Sequence, residues 1–139
     1  MQGLKYHLFC LPVLKYCEDR DALQSAVIDP QNTQFFAGTD SAPHSQAAKE
    51  SACGCAGIYS AHSAVELYAE AFEQIDRLEN FEAFMSLNGP AFYQLPKNSG
   101  SISLQKKEWK LPQALPYPAG SLIPFKAGQT LQWKLLNHA

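Results

Sequence analysis

Two short, largely apolar runs at residues 7–11 and 34–38 enclose a stretch with helical periodicity at 18–27. A strand that is covered on both faces is apolar throughout, which is typical of parallel sheets. The stretch between the runs has acids in its first turn, and Asp29-Pro30 follows as a stop signal. Strand, helix, strand predicts a βαβ unit with a parallel pair and a right-handed crossover, and hence an α/β fold.

The segment from Thr39 to Ala61 is rich in small residues and has no clear period, so we expect a long loop, which is usually functional or disordered. A helix is predicted from Ser63, because Ser63 and Glu66 have the spacing of a capping box. A second helix is predicted over 81–87, ending at Asn88-Gly89-Pro90. Beyond residue 91, three short antiparallel strands are expected, at 102–104, 122–125 and 131–135.

The composition of the 139 residues excludes several classes of protein. Apolar residues make up 46% of the chain, charged residues 17%, and the net charge is −2. The lysines are scattered, which argues against nucleic-acid binding, and no apolar run reaches the roughly 18 residues that a membrane span needs. The first ten residues do not resemble a secretory signal. We therefore expect a globular, cytoplasmic protein that binds neither nucleic acid nor membrane.

Residues 38–44, Gly-Thr-Asp-Ser-Ala-Pro-His, place Asp40 just after the second apolar run and His44 four residues later. In parallel α/β folds, ligands bind at the carboxyl ends of the strands. A carboxylate in that position can bind a divalent metal or take a proton from water. Spacing alone leaves a second interpretation equally open, in which Asp40 caps the following turn and His44 lies on the surface.

Residues 49–57, Lys-Glu-Ser-Ala-Cys-Gly-Cys-Ala-Gly, form a small-residue loop in which the backbone can approach a ligand closely. Cys53, Cys55 and His44 offer a candidate metal site, but the CxC spacing is not typical of zinc ligands. Free thiols fit this loop better, and with Cys10 and Cys17 we expect four reduced cysteines. The sequence contains neither a Gly-x-Ser-x-Gly elbow nor a glycine-rich phosphate loop.

Taken together, these segments resemble bacterial dihydroorotase, a single-function enzyme of pyrimidine synthesis in the amidohydrolase superfamily. The resemblance spans nearly all of the chain in the same order. The runs at 38–44 and 51–57 are its most specific parts. Tyr6, Tyr16 and His62 depart from the family pattern, and all three lie outside the catalytic run. The other matching segments are 7–12, 66–69, 88–90, 92–93, 95–96, 127–130 and Trp133.

The resemblance implies the C-terminal part of a (β/α)8 barrel, with the last two barrel strands and their helices in residues 1–90. Residues 91–139 would form a proline-rich extension with short strands. Zinc is the implied cofactor, and dihydroorotate or carbamoyl aspartate the implied substrate. Asp40 would bind the catalytic zinc and act as general base and acid, taking a proton from metal-bound hydroxide and passing it to the leaving amide nitrogen.

The remaining implied site residues bind the substrate. His44 would hold the substrate carboxylate, and Leu11 and Ala56 would contact the ring through backbone groups. The other zinc ligands of the family, among them a His-x-His pair and a carboxylated lysine, do not occur in these 139 residues. Because catalytic zinc needs three or more ligands, we expect the chain alone to be inactive.

Unpaired strand edges and exposed apolar faces invite association. We therefore expect either a homodimer or association with the missing N-terminal part. The alternative is a truncated, non-catalytic remnant that serves as a folded interaction module.

Overall fold

A computed structural model describes residues 5–12, 16–118 and 120–136. The chain divides into two compact units, each built from three separate segments. The first unit combines residues 1–14, 39–64 and 110–130, and the second combines 15–38, 65–109 and 131–139.

The described residues form four α-helices and four β-strands, joined by irregular segments. Short 3-10 turns occur at Tyr6–Leu8, Ala61–Ser63 and Leu78–Asn80, and a π-helical segment at Ala83–Leu87. The regular elements are α1 (Cys17–Ile28), α2 (Gln46–Lys49), α3 (Ala64–Gln74), α4 (Asn88–Tyr93), β1 (Ser103–Lys110), β2 (Leu115–Tyr117), β3 (Gly120–Leu122) and β4 (Thr130–Leu136).

The first unit holds a small hairpin beside the loop that carries the predicted site. Strands β2 and β3 pair antiparallel, with Leu115 opposite Leu122 and Tyr117 opposite Gly120. The Tyr117 hydroxyl donates a hydrogen bond to the carbonyl of Pro43 at 3.1 Å, which ties the hairpin to the loop. Three apolar side chains are fully or almost fully buried here: Leu111, Leu122 and Pro124.

Helix α1 in the second unit begins and ends where local signals place it. The Asp19 carboxylate accepts a hydrogen bond from the backbone amide of Tyr16 at 3.0 Å, which satisfies one free donor at the N-terminus. The Asn80 side chain donates to the carbonyl of Ile28 at 2.9 Å, at the last residue of the helix. The predicted helix over 18–27 is confirmed, with one extra residue at each end.

The core of the second unit lies between α3 and the two-stranded sheet of β1 and β4. Its apolar centre is formed by Ala69, Phe72 and Leu131, which are at most 3% exposed. The buried acids Glu66 and Glu70 accept hydrogen bonds from the backbone amides of Leu135 at 3.2 Å and Gln132 at 2.6 Å. These carboxylates satisfy strand amides that need acceptors when they are buried.

The two apolar runs that predicted parallel strands are not strands in this structure. Residues 6–8 form a 3-10 turn, and residues 34–38 are irregular. Their backbone makes isolated hydrogen bonds instead: Ala37 donates to Phe84 at 3.0 Å, and the carbonyl of Phe9 accepts from Gly57 at 3.0 Å. A parallel strand is stable only when neighbouring strands satisfy its edges, and no described strand pairs with either run.

The helix predicted to end at Asn88-Gly89-Pro90 continues through these residues. The π segment ends where the Asn88 amide donates to the carbonyl of Ala83, and α4 then runs to Tyr93. Pro90 therefore lies in the first turn of α4, where a missing N–H is tolerated. The left-handed residue that ends the helix is Gln94, with φ 55°. The wider π turn thus moves the end of the helix past Asn88-Gly89-Pro90, where the sequence predicted that it would stop.

The strands predicted near the C-terminus are found with changed limits. The run at 102–104 is the start of the longer β1, and the run at 131–135 is β4. Of the run at 122–125 only Leu122 is in a strand, and β2 had not been expected. The chain thus combines helices and strands, in agreement with the predicted α/β class.

Candidate active site

Asp40 stands in an unusual backbone conformation with a free side chain. Its φ is 42°, in the left-handed region, which aspartate adopts more readily than most residues. The residue is exposed, and its carboxylate has no hydrogen-bond or ion-pair partner within residues 5–12, 16–118 and 120–136. The turn-capping alternative therefore has no support, and the carboxylate is free to meet a ligand.

The position of Asp40 is set by its neighbours in the chain. The Ser41 hydroxyl accepts hydrogen bonds from the backbone amides of Ser60 and Ala61, both at 3.0 Å. Next along the chain, the Ala42 amide donates to the carbonyl of Ile58 at 3.1 Å. Three hydrogen bonds thus join the segment after Asp40 to residues 58–61, so the carboxylate projects from an anchored backbone.

An open cavity of about 420 Å³ in the first unit brings together three of the four predicted site residues, Leu11, Asp40 and Ala56. Cys10 and Phe125 contribute a thiol and an aromatic face to its wall. A volume of this size is typical of sites for small molecules. Leu11 and Ala56, which are 45 positions apart in the sequence, therefore line the same cavity.

His44, the fourth predicted site residue, is not among the residues that line this cavity. Its Nε2 lies 3.2 Å from the carbonyl oxygen of Ala56. Because a carbonyl can only accept, this nitrogen must carry the proton. The Nδ1 side of the ring is then the side that remains for a ligand.

Gly57 allows the loop to pass very close to the segment after Asp40. Its φ is 135°, and an added Cβ would lie 2.4 Å from the Cβ of Ala42. No side chain fits at that distance, and few residues adopt that conformation. The glycine is therefore required by the approach of two backbone segments that border the cavity.

Lys49 is a functional candidate for which the sequence predicted no role, although it begins the small-residue run at 49–57. Its side chain is only 6% exposed, and its Nζ donates to the carbonyls of Phe9 at 2.6 Å, Cys55 at 2.7 Å and Gly57 at 2.6 Å. Burial lowers the pKa of this ammonium from its ordinary value. The only signal in the sequence was a long basic residue inside a run of small ones.

A second, much smaller cavity of about 20 Å³ lies beside His7, His44 and Lys49. It has room for about one water molecule. Burial lowers the pKa of His7, and the nearby charges of Lys5 and Lys49 act in the same direction. His7 is half-buried beside this small cavity.

The described residues do not form a complete metal site. No group of three or more His, Cys, Asp or Glu side chains in this part of the chain is close enough to hold an ion. This applies to Cys53, Cys55 and His44, whose proposed stand-alone site is not assembled. Cys10, Cys17, Cys53 and Cys55 form no disulfide in the described part of the chain. Asp40 fits a zinc ion only as one oxygen ligand, because the further ligands must come from outside these residues.

Comparisons with known proteins give one consistent picture. No family model matches the chain. The dihydroorotase of Laribacter hongkongensis is 56% identical over 133 residues, which is 96% of this chain and 38% of that protein. The dihydroorotase of Pseudomonas aeruginosa is 52% identical over 135 residues, 97% of this chain and 38% of that protein.

Solved structures of the same group superpose well. Dihydroorotase from Saccharomyces cerevisiae in complex with 5-fluoroorotic acid has a TM-score of 0.86 at 37% identity, over 97% of this chain and 38% of that one. Dihydroorotase from Campylobacter jejuni has a TM-score of 0.81 at 31% identity, over 98% of this chain and 39% of that one. The chain therefore spans less than two fifths of the relatives it matches.

In the described part of the chain, none of the helices is long and apolar enough to cross a membrane.

Proposed function

Because this chain belongs to the dihydroorotase family and corresponds to its C-terminal part, we propose that it forms one wall of a dihydroorotase active site. The reaction is the reversible cyclisation of N-carbamoyl-L-aspartate to (S)-dihydroorotate in pyrimidine synthesis, with zinc as cofactor. The observation that carries the proposal is the carboxylate of Asp40, which has no partner among the described residues and borders one cavity with Leu11 and Ala56.

In the complete protein, residues 1–90 would form the last two strands of a (β/α)8 barrel with their helices, and 91–139 an extension. The apolar runs at 7–11 and 34–38 would then pair with strands from the N-terminal part. This assignment explains why two strand-like runs lack strand partners in the isolated chain. A barrel of this type takes about 250 residues, more than these 139 can supply.

Asp40 is proposed to move the proton of the reaction. In the hydrolytic direction, water adds to the ring amide carbon, the carbon–nitrogen bond breaks, and the leaving nitrogen gains a proton. A carboxylate that faces the cavity without a partner can accept a proton from the attacking water and return it to that nitrogen. In the direction of cyclisation the same carboxylate works in reverse, and one water molecule is released.

Zinc would polarise the attacking water and lower its pKa. From this chain only the Asp40 carboxylate would bind the zinc ion. The remaining ligands are proposed to come from the N-terminal part of the complete protein. These 139 residues alone are therefore proposed to lack activity.

The other site residues are proposed to hold the substrate. The backbone groups of Leu11 and Ala56 border the cavity and can hydrogen bond to the polar edge of a dihydroorotate ring. His44 is proposed to bind the substrate carboxylate. Its Nε2 faces the carbonyl of Ala56, so carboxylate binding would use the Nδ1 side of the ring.

The test is complementation. The chain is joined to the N-terminal part of the Laribacter hongkongensis dihydroorotase, supplied with zinc, and assayed for interconversion of dihydroorotate and carbamoyl aspartate. We expect turnover by the joined protein and none by the chain alone. Asp40→Asn should lower kcat by about 100-fold or more, which is the usual contribution of a general base.

Asp76→Asn is the matched control, because Asp76 is an exposed aspartate that also stands in the left-handed region, with φ 55°. It should leave kcat unchanged. A joined protein that folds and binds zinc but has no activity would contradict the proposal and favour the non-catalytic remnant.

A further inference from the structure

The ammonium group of Lys49 is enclosed by backbone carbonyls. All three of its N–H donors have an acceptor at 2.6–2.7 Å, and the side chain is 6% exposed. The ring of Phe9 lies 5.6 Å from Nζ and covers another side of the charge. A lysine is rarely buried to this degree without a partner, so this geometry shows a cation that binds the chain's own backbone.

The three acceptors lie in or next to the backbone that borders the larger cavity: Gly57 lines it, and Cys55 and Phe9 adjoin the lining residues Ala56 and Cys10. Cys55 and Gly57 flank Ala56, and Phe9 lies two residues before Leu11. The carbonyl of Ala56 itself is 3.2 Å from the His44 imidazole, so each carbonyl from 55 to 57 has a cationic or N–H partner.

The same contacts join two segments that are remote in sequence. Phe9 and Lys49 are 40 positions apart, and the carbonyl of Phe9 also accepts from the Gly57 amide at 3.0 Å. One carbonyl therefore serves both the lysine and the loop. Without the ammonium, the carbonyls of Cys55 and Gly57 would lose this donor, and the loop would be held to the Phe9 segment by the Gly57 amide alone.

We propose that Lys49 is a positioning residue, whose buried ammonium fixes the backbone around Ala56 and Leu11 in the geometry that receives the ligand. The inference rests on the proposed function for the identity of the ligand, a cyclic amide carrying a carboxylate. Lys49 does not line the larger cavity and takes no part in proton transfer. Its effect is on how tightly the ligand is held.

The test compares Lys49→Ala with Lys97→Ala, the same change at an exposed lysine. Two readouts are used: amide hydrogen exchange at Gly57 in the 139-residue chain, and KM and kcat in the joined protein. For Lys49→Ala we expect Gly57 exchange to rise about tenfold or more, KM to rise about tenfold, and kcat to stay within about threefold. Lys97→Ala should change neither readout.

Chemical rescue separates positioning from simple packing. n-Propylammonium replaces the atoms that Lys49→Ala removes and should restore KM, whereas n-propanol at the same concentration, which lacks the charge, should not. If the alanine variant does not fold, Lys49→Met preserves the apolar stem and is used in its place. Failure of both variants to fold would show a general structural role and overturn the proposal.

The remaining outcomes are also decisive. An unchanged KM, or equal losses in KM and kcat without rescue, would overturn the positioning role. If the joined wild-type protein has no activity, the proposed function fails by itself. Amide hydrogen exchange at Gly57, compared between the wild-type 139-residue chain and its Lys49→Ala variant, then decides whether Lys49 fixes this backbone.

Discussion

Glu73 on α3 illustrates how single charges connect elements within the second unit. Its carboxylate accepts a hydrogen bond from Trp133 Nε1 at 3.0 Å and forms a short ion pair with Lys106. The Lys106 contact, followed by the Trp133 hydrogen bond, lowers the pKa of Glu73 below its usual range. The ionised form is therefore favoured in the folded chain over the unfolded one.

A pH dependence follows from this lowered pKa. The contribution of Glu73 to stability is complete above the carboxyl pKa of the unfolded chain and is lost as pH falls through the lower, folded pKa. Glu73→Gln keeps an acceptor for Trp133 but has no charge to titrate. We expect its Tm to be lower than that of the wild type at neutral pH and to approach it in acid. Thermal unfolding, followed by circular dichroism from neutral to acidic pH, measures the Tm of both proteins.

Glu79→Gln serves as the control, since Glu79 is exposed and outside this contact. Its Tm should follow the wild type at every pH. A constant difference between Glu73→Gln and the wild type from neutral to acidic pH would contradict the assignment.

At the level of the element, strand β4 shows why burial and not apolar character decides the cost of a substitution. Leu131 is 0% exposed, whereas Leu136 in the same strand is 39% exposed. Leu131→Ala should lower the free energy of unfolding by about 2–5 kcal/mol, because it removes fully buried methyl groups and leaves a cavity. Leu136→Ala should cost less than about 1 kcal/mol. Urea titrations of the two variants measure the difference in the free energy of unfolding. Equal effects would contradict the different burial of Leu131 and Leu136 in β4.

Elements whose signals lie within a few residues could be predicted from sequence. Helix α1 has acids in its first turn and Asp29-Pro30 directly after it, and both ends agree to within one residue. The helix that passes through Asn88-Gly89-Pro90 was predicted too short. Its π turn places the proline in the first turn of α4, and Phe36 packs against Gly89, so the outcome depends on contacts that no local window contains.

At the scale of the whole molecule, each unit exposes large apolar side chains. Leu11 in the first unit is 67% exposed, and Phe92, Tyr93 and Leu95 in the second are 61–62% exposed. Exposed apolar patches and open strand edges promote association. We expect sedimentation velocity of the chain alone to show concentration-dependent self-association. Joining the N-terminal part should reduce it.

The double change Phe92→Gln, Leu95→Gln should weaken this self-association, while Asn98→Gln, a polar change nearby in sequence, should not. A monodisperse, folded monomer over a wide range of concentration would argue against both the association and the assignment of these faces to a larger protein.

The sequence alone was sufficient to predict the features that depend on nearby residues. These are helix α1 and most of the small-residue segment after Asp40, where the one-turn helix α2 interrupts the predicted loop. In each case the informative residues lie within one helical turn, one loop or one motif.

Only the tertiary structure decided which distant groups meet. It placed Lys49 among three carbonyls, one of them 40 positions away, and brought Gly57 so close to Ala42 that no side chain fits between them. It also gave residues 7–11 and 34–38 no strand partner among the residues that the structure describes. The physical reason is common to all three. A buried donor, a close backbone approach and a strand edge are each satisfied by whichever segment folds beside them, and sequence spacing does not specify that segment.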